Sequence, residues 1–158
     1  MAFFLIFLYN PAHAYSKSEI DCLTVAVYKE ARGESFKGKI AVAEVIRNRK
    51  NHRTLFPKTF CGVVVQRGQF SWYSSPRSLL IKPGQLKQPK DKSAYLDAKK
   101  AVVEALNGSD LTHGSLYFVH RRVAMESLSR DDSDVKKQLW LKKMKFQVRI
   151  GSHNFYGE

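Results

Sequence analysis

The sequence lacks the features that mark several large enzyme classes. It has two cysteines among 158 residues, and its five histidines form neither an H-E-x-x-H motif nor a Cys/His pair at metal-ligand spacing. A zinc hydrolase is therefore poorly supported, and we expect no metal or other cofactor. Internal repeats and low-complexity tracts are also absent. The hydrophobic fraction of 44% favours one folded domain over a disordered chain.

Acidic residues are scarce relative to basic ones. The chain has 14 Asp and Glu against 27 Lys and Arg, which gives a formal net charge of +13. A basic surface attracts polyanions such as nucleic acid, an anionic membrane face or an anionic cell envelope. The basic residues are spread through the chain, with only short clusters such as Lys136-Lys137. This spread suits a broad positive face better than a discrete nucleic-acid-reading element, and we expect no nucleic-acid partner. Together with the N-terminus described next, it predicts an anionic envelope surface as partner.

The apolar run at the N-terminus, Ala2 to Leu8, is too short to span a membrane, which takes about 20 residues. Ala12-His13-Ala14 follows it and has the small-x-small pattern of a signal-peptidase site. We therefore predict that residues 1–14 are a signal peptide cleaved after Ala14 and that residues 15–158 are an exported domain. No Lys or Arg precedes the run, so a hydrophobic segment packed on the domain is the alternative.

The two cysteines, Cys22 and Cys61, are compatible with either redox compartment. In an exported protein they could form a disulfide. Pairing also requires Cα atoms within bridging distance, which sequence does not reveal. The sequence therefore leaves open whether Cys22 and Cys61 form a disulfide or remain free thiols.

A carboxylate continues an apolar stripe near the start of the chain. Ile20, Leu23, Val27, Glu30 and Glu34 are separated by 3, 4, 3 and 4 residues, which places them on one helical face. A carboxyl group held against apolar surface loses hydration of its charged form, so its pKa rises. Such a group can donate a proton to a leaving group. A solvated or ion-paired glutamate near a helix end is the structural alternative.

Hydrophobic periodicity and turn residues predict a mainly helical domain with some strand. Ser18 is the predicted N-cap of the first helix, and Gly33 and Gly108 are predicted left-handed helix stops. Arg47, Asn48 and Arg49 are expected to return the second helix to water. The predicted helices cover about 19–32, 37–50 and 91–107, the predicted strands 115–119 and 144–150, and residues 61–66 are either a strand or a helical turn.

Aromatic and amide side chains are grouped in the segment from Gly68 to Tyr73. This grouping favours carbohydrate or peptide binding, and an aromatic cluster in the core is the alternative. The segment 126–137 is charged and predicts a surface loop or exposed helix. His153, beside aromatic residues, is by default a structural histidine. The candidate substrate contacts are Gln69, Phe70, Ser71, Tyr73, Tyr117 and His153.

Several blocks, taken in order over residues 19–156, resemble the SleB/CwlJ-type cell wall hydrolases. The first block is Glu-Ala-Arg-Gly-Glu, and the last is Ile-Gly-x-His-x-Phe-Tyr. The chain departs from the family pattern at Val119-His120-Arg121, where an Asn-Pro is frequent, so subsite detail is not carried over. The matching blocks are Glu30 to Glu34, Gly38 to Arg49, Phe56-Pro57, Cys61 to Val64, Gln66 to Phe70 and Ile150 to Tyr156.

The resemblance implies an α+β fold: a mainly helical, lysozyme-like single domain with a small antiparallel β-sheet. It implies a lytic transglycosylase that cuts the MurNAc–GlcNAc β-1,4 bond of peptidoglycan glycan strands, with Glu30 as general acid. Glu34 is the runner-up, either as a second acid/base or as a partner of Arg32 or Arg47. We expect a monomer, and a short exported enzyme of this form is similar to phage endolysins. The alternatives are a peptidoglycan amidase or peptidase, and a basic nucleic-acid-binding module.

Overall fold

The computed structural model describes residues 15–81, 83–129 and 143–158. The predicted signal peptide, residues 1–14, and residues 130–137 of the predicted charged surface segment lie outside the described residues. The described elements are the helices α1 (Lys17–Ala31), α2 (Phe36–Asn51), α3 (Phe60–Val65), α4 (Pro89–Leu106) and α5 (Arg121–Ser129), two 3-10 turns (Pro76–Leu79 and Pro83–Gln85), and the strands β1 (Tyr117–His120), β2 (Lys145–Ile150) and β3 (His153–Gly157).

Helix α2 lies at the centre of the domain and packs against α1, α3 and α4. Its sequence is apolar around most of its circumference, which is the pattern of a helix buried on several sides. Val42 and Ile46 of α2 are fully buried together with Leu23 and Val27 of α1. Helix α4 contributes mainly alanines, such as Ala98, to the same core cluster. Small side chains there allow two helices to approach closely. None of the described helices is long and apolar enough to cross a membrane.

The sheet has three antiparallel strands in the order β1-β3-β2. The mainly helical α+β fold with a small antiparallel sheet is therefore confirmed. Both predicted strands are present, with β1 shifted toward the C-terminus by two residues at its start. The central strand, β3, was not predicted, although all of its residues are buried. Phe155 of β3 packs on Ala41 and Val45 of α2, which attaches the sheet to the helical core.

Two details at the ends of α1 differ from the prediction. The N-cap is Ser16 instead of Ser18, because the Ser16 Oγ accepts the backbone N–H of Glu19. Gly33 does not have a positive φ, whereas Gly108 after α4 does, at φ +102°. Helix α1 ends before a short linker in which Ser35 caps α2. The linker turns the chain without a left-handed residue at Gly33.

The segment that sequence left as strand or helical turn is the short helix α3. Cys22 and Cys61 form a disulfide with their Cα atoms 5.2 Å apart, which ties α3 to α1. The Glu19 carboxylate supports the same junction by accepting the backbone N–H groups of Phe60 and Cys61. A carboxylate is favourable at a helix N-terminus, where backbone donors are unpaired.

The expectation that Arg47, Asn48 and Arg49 return α2 to water is wrong. Arg49 is buried, and the other two are half-buried. Each donates at least one hydrogen bond to a backbone carbonyl in the stretch from the last turn of α4 to the start of β1. The acceptors are the carbonyls of Ala105 and Ser109 for Arg47, of Ser115 for Asn48 and of Leu116 for Arg49.

Candidate active site

Glu30 lies in the last turn of α1, on the helical face that carries the fully buried Leu23 and Val27, and is itself half-buried. The Trp72 Nε1–H donates a hydrogen bond to its Oε1 at 2.7 Å. Burial raises the pKa of the Glu30 carboxyl, whereas the Trp72 hydrogen bond and the charge of Arg49 lower it, and the net pKa is raised. Glu30 therefore keeps its proton to a higher pH than an exposed glutamate would.

The surroundings of Glu30 suit a group that must exist in two protonation states. Partial burial disfavours the carboxylate, so the acid form is available for donation. Trp72 and Arg49 favour the carboxylate, so the charge left after donation is stabilised. The same group can then accept a proton.

Arg49 is a buried cation beside this carboxyl group. Its guanidinium lies 5.4 Å from the ring centre of Phe56, 5.9 Å from that of Phe70 and 5.6 Å from that of Tyr117. Its Nε donates to the Leu116 carbonyl at 2.6 Å. Burial lowers the pKa of Arg49 to about 10, so the side chain remains charged at neutral pH.

The segment of grouped aromatic and amide side chains, Gly68 to Tyr73, is a loop that carries Trp72, the residue bonded to Glu30. We call this segment the aromatic loop. The Trp72 ring lies 5.8 Å from that of Phe70 and 6.3 Å from that of Tyr73. Phe70 is buried in the core beside Arg49, so its ring anchors the loop to the core. Ser71 is exposed, and Gln69 and Tyr73 are half-buried. The structure thus connects Phe70 and Tyr73 to Glu30 through Trp72. Tyr117 lies against Arg49, whose charge acts on Glu30.

Glu34 belongs to a separate cluster at the β2–β3 turn. Its Oε2 accepts the backbone N–H of Ser152 at 3.1 Å, and its Oε1 lies 3.7 Å from the Nδ1 of His153. A Cβ at Gly151 would lie 2.2 Å from Oε2, and one at Gly38 would lie 2.9 Å from the Glu34 Cβ. Glu34 therefore fills a narrow site and fixes the turn to the start of α2.

Neither predicted arginine is the partner of Glu34. Arg32 forms an ion pair with Asp91, and Arg47 binds backbone carbonyls. Burial alone would raise the pKa of Glu34, but hydrogen bonds from Ser152 and the charges of His153 and His120 outweigh it, so the pKa is lowered. A carboxyl group with a lowered pKa is a poor proton donor at neutral pH.

His153, on the central strand, is only 7% exposed and packs against the rings of Phe118 on β1 and Phe155 on β3. Its Nδ1 has no hydrogen-bond partner among the residues that the structure describes. Burial is the main cause that lowers the pKa of His153, so the neutral ring is favoured at neutral pH. This placement fits the structural interpretation of His153 better than a substrate contact.

Arg49 and Trp72 are absent from the residues that sequence nominated for the site. Trp72 lies inside the predicted aromatic loop, and its indole N–H was the signal that a polar partner would be nearby. Arg49 gave no such signal, because a basic residue at a helix C-terminus is ordinarily solvated. Its burial depends on the carbonyl of Leu116 and on three rings from other segments.

Two cavities in the described part of the chain lie away from Glu30. One, of about 480 Å³, is lined by α1, α4 and the segment around Leu80. The other, of about 420 Å³, is lined by polar groups that include Asn48, His52 and His113. Glu30 does not line either of these cavities.

The amino-acid sequence is similar to those of cell wall hydrolases and spore cortex-lytic enzymes. A family described as Cell Wall Hydrolase matches residues 33–156, a range that begins after Glu30. A spore cortex-lytic enzyme of Oceanobacillus iheyensis is 38% identical over 69% of this chain and 35% of its own length. The enzyme of that name from Bacillus cereus is 32% identical over 92% of this chain and 47% of its own length. The chain therefore spans less than half the length of these curated relatives.

Solved structures agree with these relatives. The catalytic domain of the Bacillus cereus SleB protein has a TM-score of 0.65 and 30% identity, over 90% of this chain and 91% of that domain. The catalytic domain of the germination-specific lytic transglycosylase SleB from Bacillus anthracis has a TM-score of 0.61 and 30% identity, over 90% and 96%. The sequence blocks, the helical fold with its small sheet and these matches agree, and the chain belongs to the cell wall hydrolase family of the SleB/CwlJ type.

Proposed function

We propose that this chain degrades peptidoglycan by cleaving the MurNAc–GlcNAc β-1,4 glycosidic bond, with Glu30 as the general acid. The observation that carries the proposal is the environment of Glu30. It is a half-buried carboxyl with a raised pKa, hydrogen-bonded to an indole N–H and close to a buried arginine. Similarity to the catalytic domain of a lytic transglycosylase supports the choice of substrate.

The chemistry needs one carboxyl group used twice. Protonated Glu30 gives its proton to the glycosidic oxygen as the bond from C1 of the muramyl residue to that oxygen breaks. Glu30, now ionised, takes the proton of the C6 hydroxyl of the same muramyl residue, and O6 bonds to C1. The products are a 1,6-anhydro muramyl end and a free GlcNAc hydroxyl, and Glu30 has regained its proton.

A second catalytic carboxylate is not required by this scheme. Glycosidases with two carboxyl groups hold them about 5–5.5 Å apart for retention or about 6.5–9.5 Å apart for inversion. The second candidate, Glu34, accepts a hydrogen bond from the Ser152 N–H and lies beside His153. Its pKa is lowered, so it is ionised at neutral pH. These contacts favour a structural role for Glu34 and support a single-glutamate reaction.

Sugar contacts are proposed for the part of the aromatic loop that reaches the surface. Ser71 is exposed, and Gln69 and Tyr73 are half-buried in the same loop, which bonds to Glu30 through Trp72. Tyr117 is half-buried, and its ring centre lies 5.6 Å from the Arg49 guanidinium. Hydroxyl and amide groups beside ring faces suit a polar sugar.

Export is part of the proposal, because the substrate lies outside the cytoplasm. The apolar run and the Ala12-His13-Ala14 pattern support a signal peptide over residues 1–14. The disulfide between Cys22 and Cys61 is compatible with an oxidising compartment.

Glu30→Gln tests the proposal, since it keeps the shape of the side chain and removes the acid. Digestion of purified sacculi should fall by roughly 10²–10⁴-fold, the usual contribution of a general acid. Glu104→Gln, at an exposed position of α4, is the matched control and should digest at the wild-type rate. Wild-type digestion by Glu30→Gln would overturn the proposal.

Mass spectrometry of the digest tests the transglycosylase step separately. We expect 1,6-anhydro muramyl ends. Reducing MurNAc ends without the anhydro product would reject that step in favour of hydrolysis, and release of stem peptides from intact glycan would indicate an amidase or peptidase.

A further inference from the structure

Arg49 joins three separate segments of the chain and acts electrostatically on Glu30. Its side chain, 5% exposed, leaves α2 and lies among Phe56, Phe70 and Tyr117. Phe70 packs on the ring of Trp72, which bonds to Glu30. A displacement of Arg49 would therefore be transmitted to the loop that contacts the catalytic carboxyl group.

A buried arginine requires compensation, because a charge removed from water is strongly disfavoured unless it is paired. The described contacts of Arg49 are one hydrogen bond to the Leu116 carbonyl and three ring faces. Its Nη1 is buried and has no hydrogen-bond partner among the described residues. Burial lowers the pKa of Arg49, and the charge of the Glu30 carboxylate opposes that effect by favouring the charged guanidinium. A buried guanidinium with so few polar partners would destabilise the fold if Arg49 served only in packing. The negative charge of ionised Glu30 would offset that destabilisation.

We propose that Arg49 is a positioning residue with two effects on Glu30. Its charge stabilises the carboxylate that forms on Glu30 when the proton leaves, and its contact with Phe70 holds the aromatic loop, residues 68–73, so that Trp72 stays bonded to that carboxylate. The inference rests on the proposed function of Glu30. It goes further in naming what allows one glutamate to serve as acid and then as base: a half-buried carboxyl group without a nearby cation would resist the ionised state that the second proton transfer requires.

The two parts of this role are separated by two substitutions. Arg49→Met removes the charge, and Arg49→Lys keeps it but loses the flat group that spans three rings. We expect Arg49→Met to raise the pKa of Glu30, read by ¹³C NMR titration of the carboxyl group, and to move the alkaline limb of the pH–rate profile upward. We expect Arg49→Lys to keep the wild-type limb and to lower kcat by about 10–100-fold with little change in KM, because the catalytic geometry is perturbed.

The matched control is Arg47→Met, two residues earlier on α2. Arg47 binds the carbonyls of Ala105 and Ser109 at the end of α4, so its loss should lower stability and leave the Glu30 titration unchanged. A packing role for Arg49 predicts the same pattern for Arg49→Met as for Arg47→Met. An unshifted Glu30 titration in folded Arg49→Met would therefore overturn the inference.

Two further outcomes are also decisive. If Arg49→Met does not fold, Arg49→Lys decides, and wild-type kcat in the folded lysine variant overturns the inference. Failure of both variants to fold would assign Arg49 to packing and overturn it as well. Wild-type activity of Glu30→Gln would instead end the proposed function, and the Glu30 titration, which needs no turnover, would still report whether the two side chains are coupled.

Discussion

Gly151 shows how much a single position in the β2–β3 turn contributes to the fold. Its φ is +58°, and an added Cβ would lie 2.2 Å from the Glu34 Oε2. Gly151→Ala should therefore lose about 2–3 kcal/mol of unfolding free energy in urea, from backbone strain and from displacement of Glu34. Gly33→Ala is the control, because nothing lies within 4 Å of its added Cβ, and it should change stability by less than about 1 kcal/mol. Equal effects at the two positions would contradict this assignment.

Glu34 should make stability depend on pH in a defined direction. Its folded pKa lies below its ordinary value of 4.5, so its contribution is complete above that value and is lost as pH falls through the lower folded pKa. Glu34→Gln should therefore lower the unfolding free energy by about 1–3 kcal/mol at pH 7, and the difference from wild type should shrink as pH falls below 4.5. A difference that grows in acid, or that equals the effect of Glu104→Gln, would contradict the structure.

At the scale of elements, the disulfide fastens α3 and the loop that follows it. Cys22 and Cys61 are separated by 39 residues, and closing a loop of that size stabilises by about 4 kcal/mol in the chain-entropy account. The double variant Cys22→Ala/Cys61→Ala should lose roughly that amount in urea unfolding. Reductant should destabilise wild type to the same level and leave the double variant unchanged, and a wild type that ignores reductant would refute the link.

The sequence was sufficient for the elements whose determinants are local. The apolar periodicity of α1, α2 and α4 and the alternation in β2 predicted their positions within a few residues. The central strand β3 was not predicted, because its residues are buried on both faces and alternate in no visible pattern. Glu44 was also overlooked. It is fully buried, and its two oxygens accept the N–H groups of Leu111 and Thr112, which are distant in sequence.

The residues of the candidate site also fall into those that local sequence predicts and those that depend on distant contacts. Glu30 could be nominated because its helical spacing is a local property. Its partners could not, since Trp72 binds it from a loop and the charge of Arg49 acts on it from another helix. Glu34 shares the helical spacing of Glu30, but the chain turns between them and directs Glu34 to the sheet. Contacts between distant segments thus distinguish two glutamates that looked equivalent in the sequence.

At the scale of the whole molecule, the net charge of +13 should govern adsorption to the wall. Exposed charges are screened over about 10 Å at 0.1 M salt and about 3 Å at 1 M. The fraction of Glu30→Gln protein that cosediments with sacculi should therefore fall several-fold across that range. Sacculi stripped of phosphate polymers should show a shallower dependence, and salt-independent adsorption to both would argue that charge does not direct binding.

The most direct test of the account is the titration of the Glu30 carboxyl group in the folded protein, followed by ¹³C NMR with Glu30→Gln as the assignment control. The structure predicts a midpoint above 4.5, the ordinary value for a glutamate side chain, because burial outweighs the opposing effects of Trp72 and Arg49. A midpoint at or below that value would show that Glu30 is ionised and solvated like a surface glutamate, and it would contradict its role as the acid.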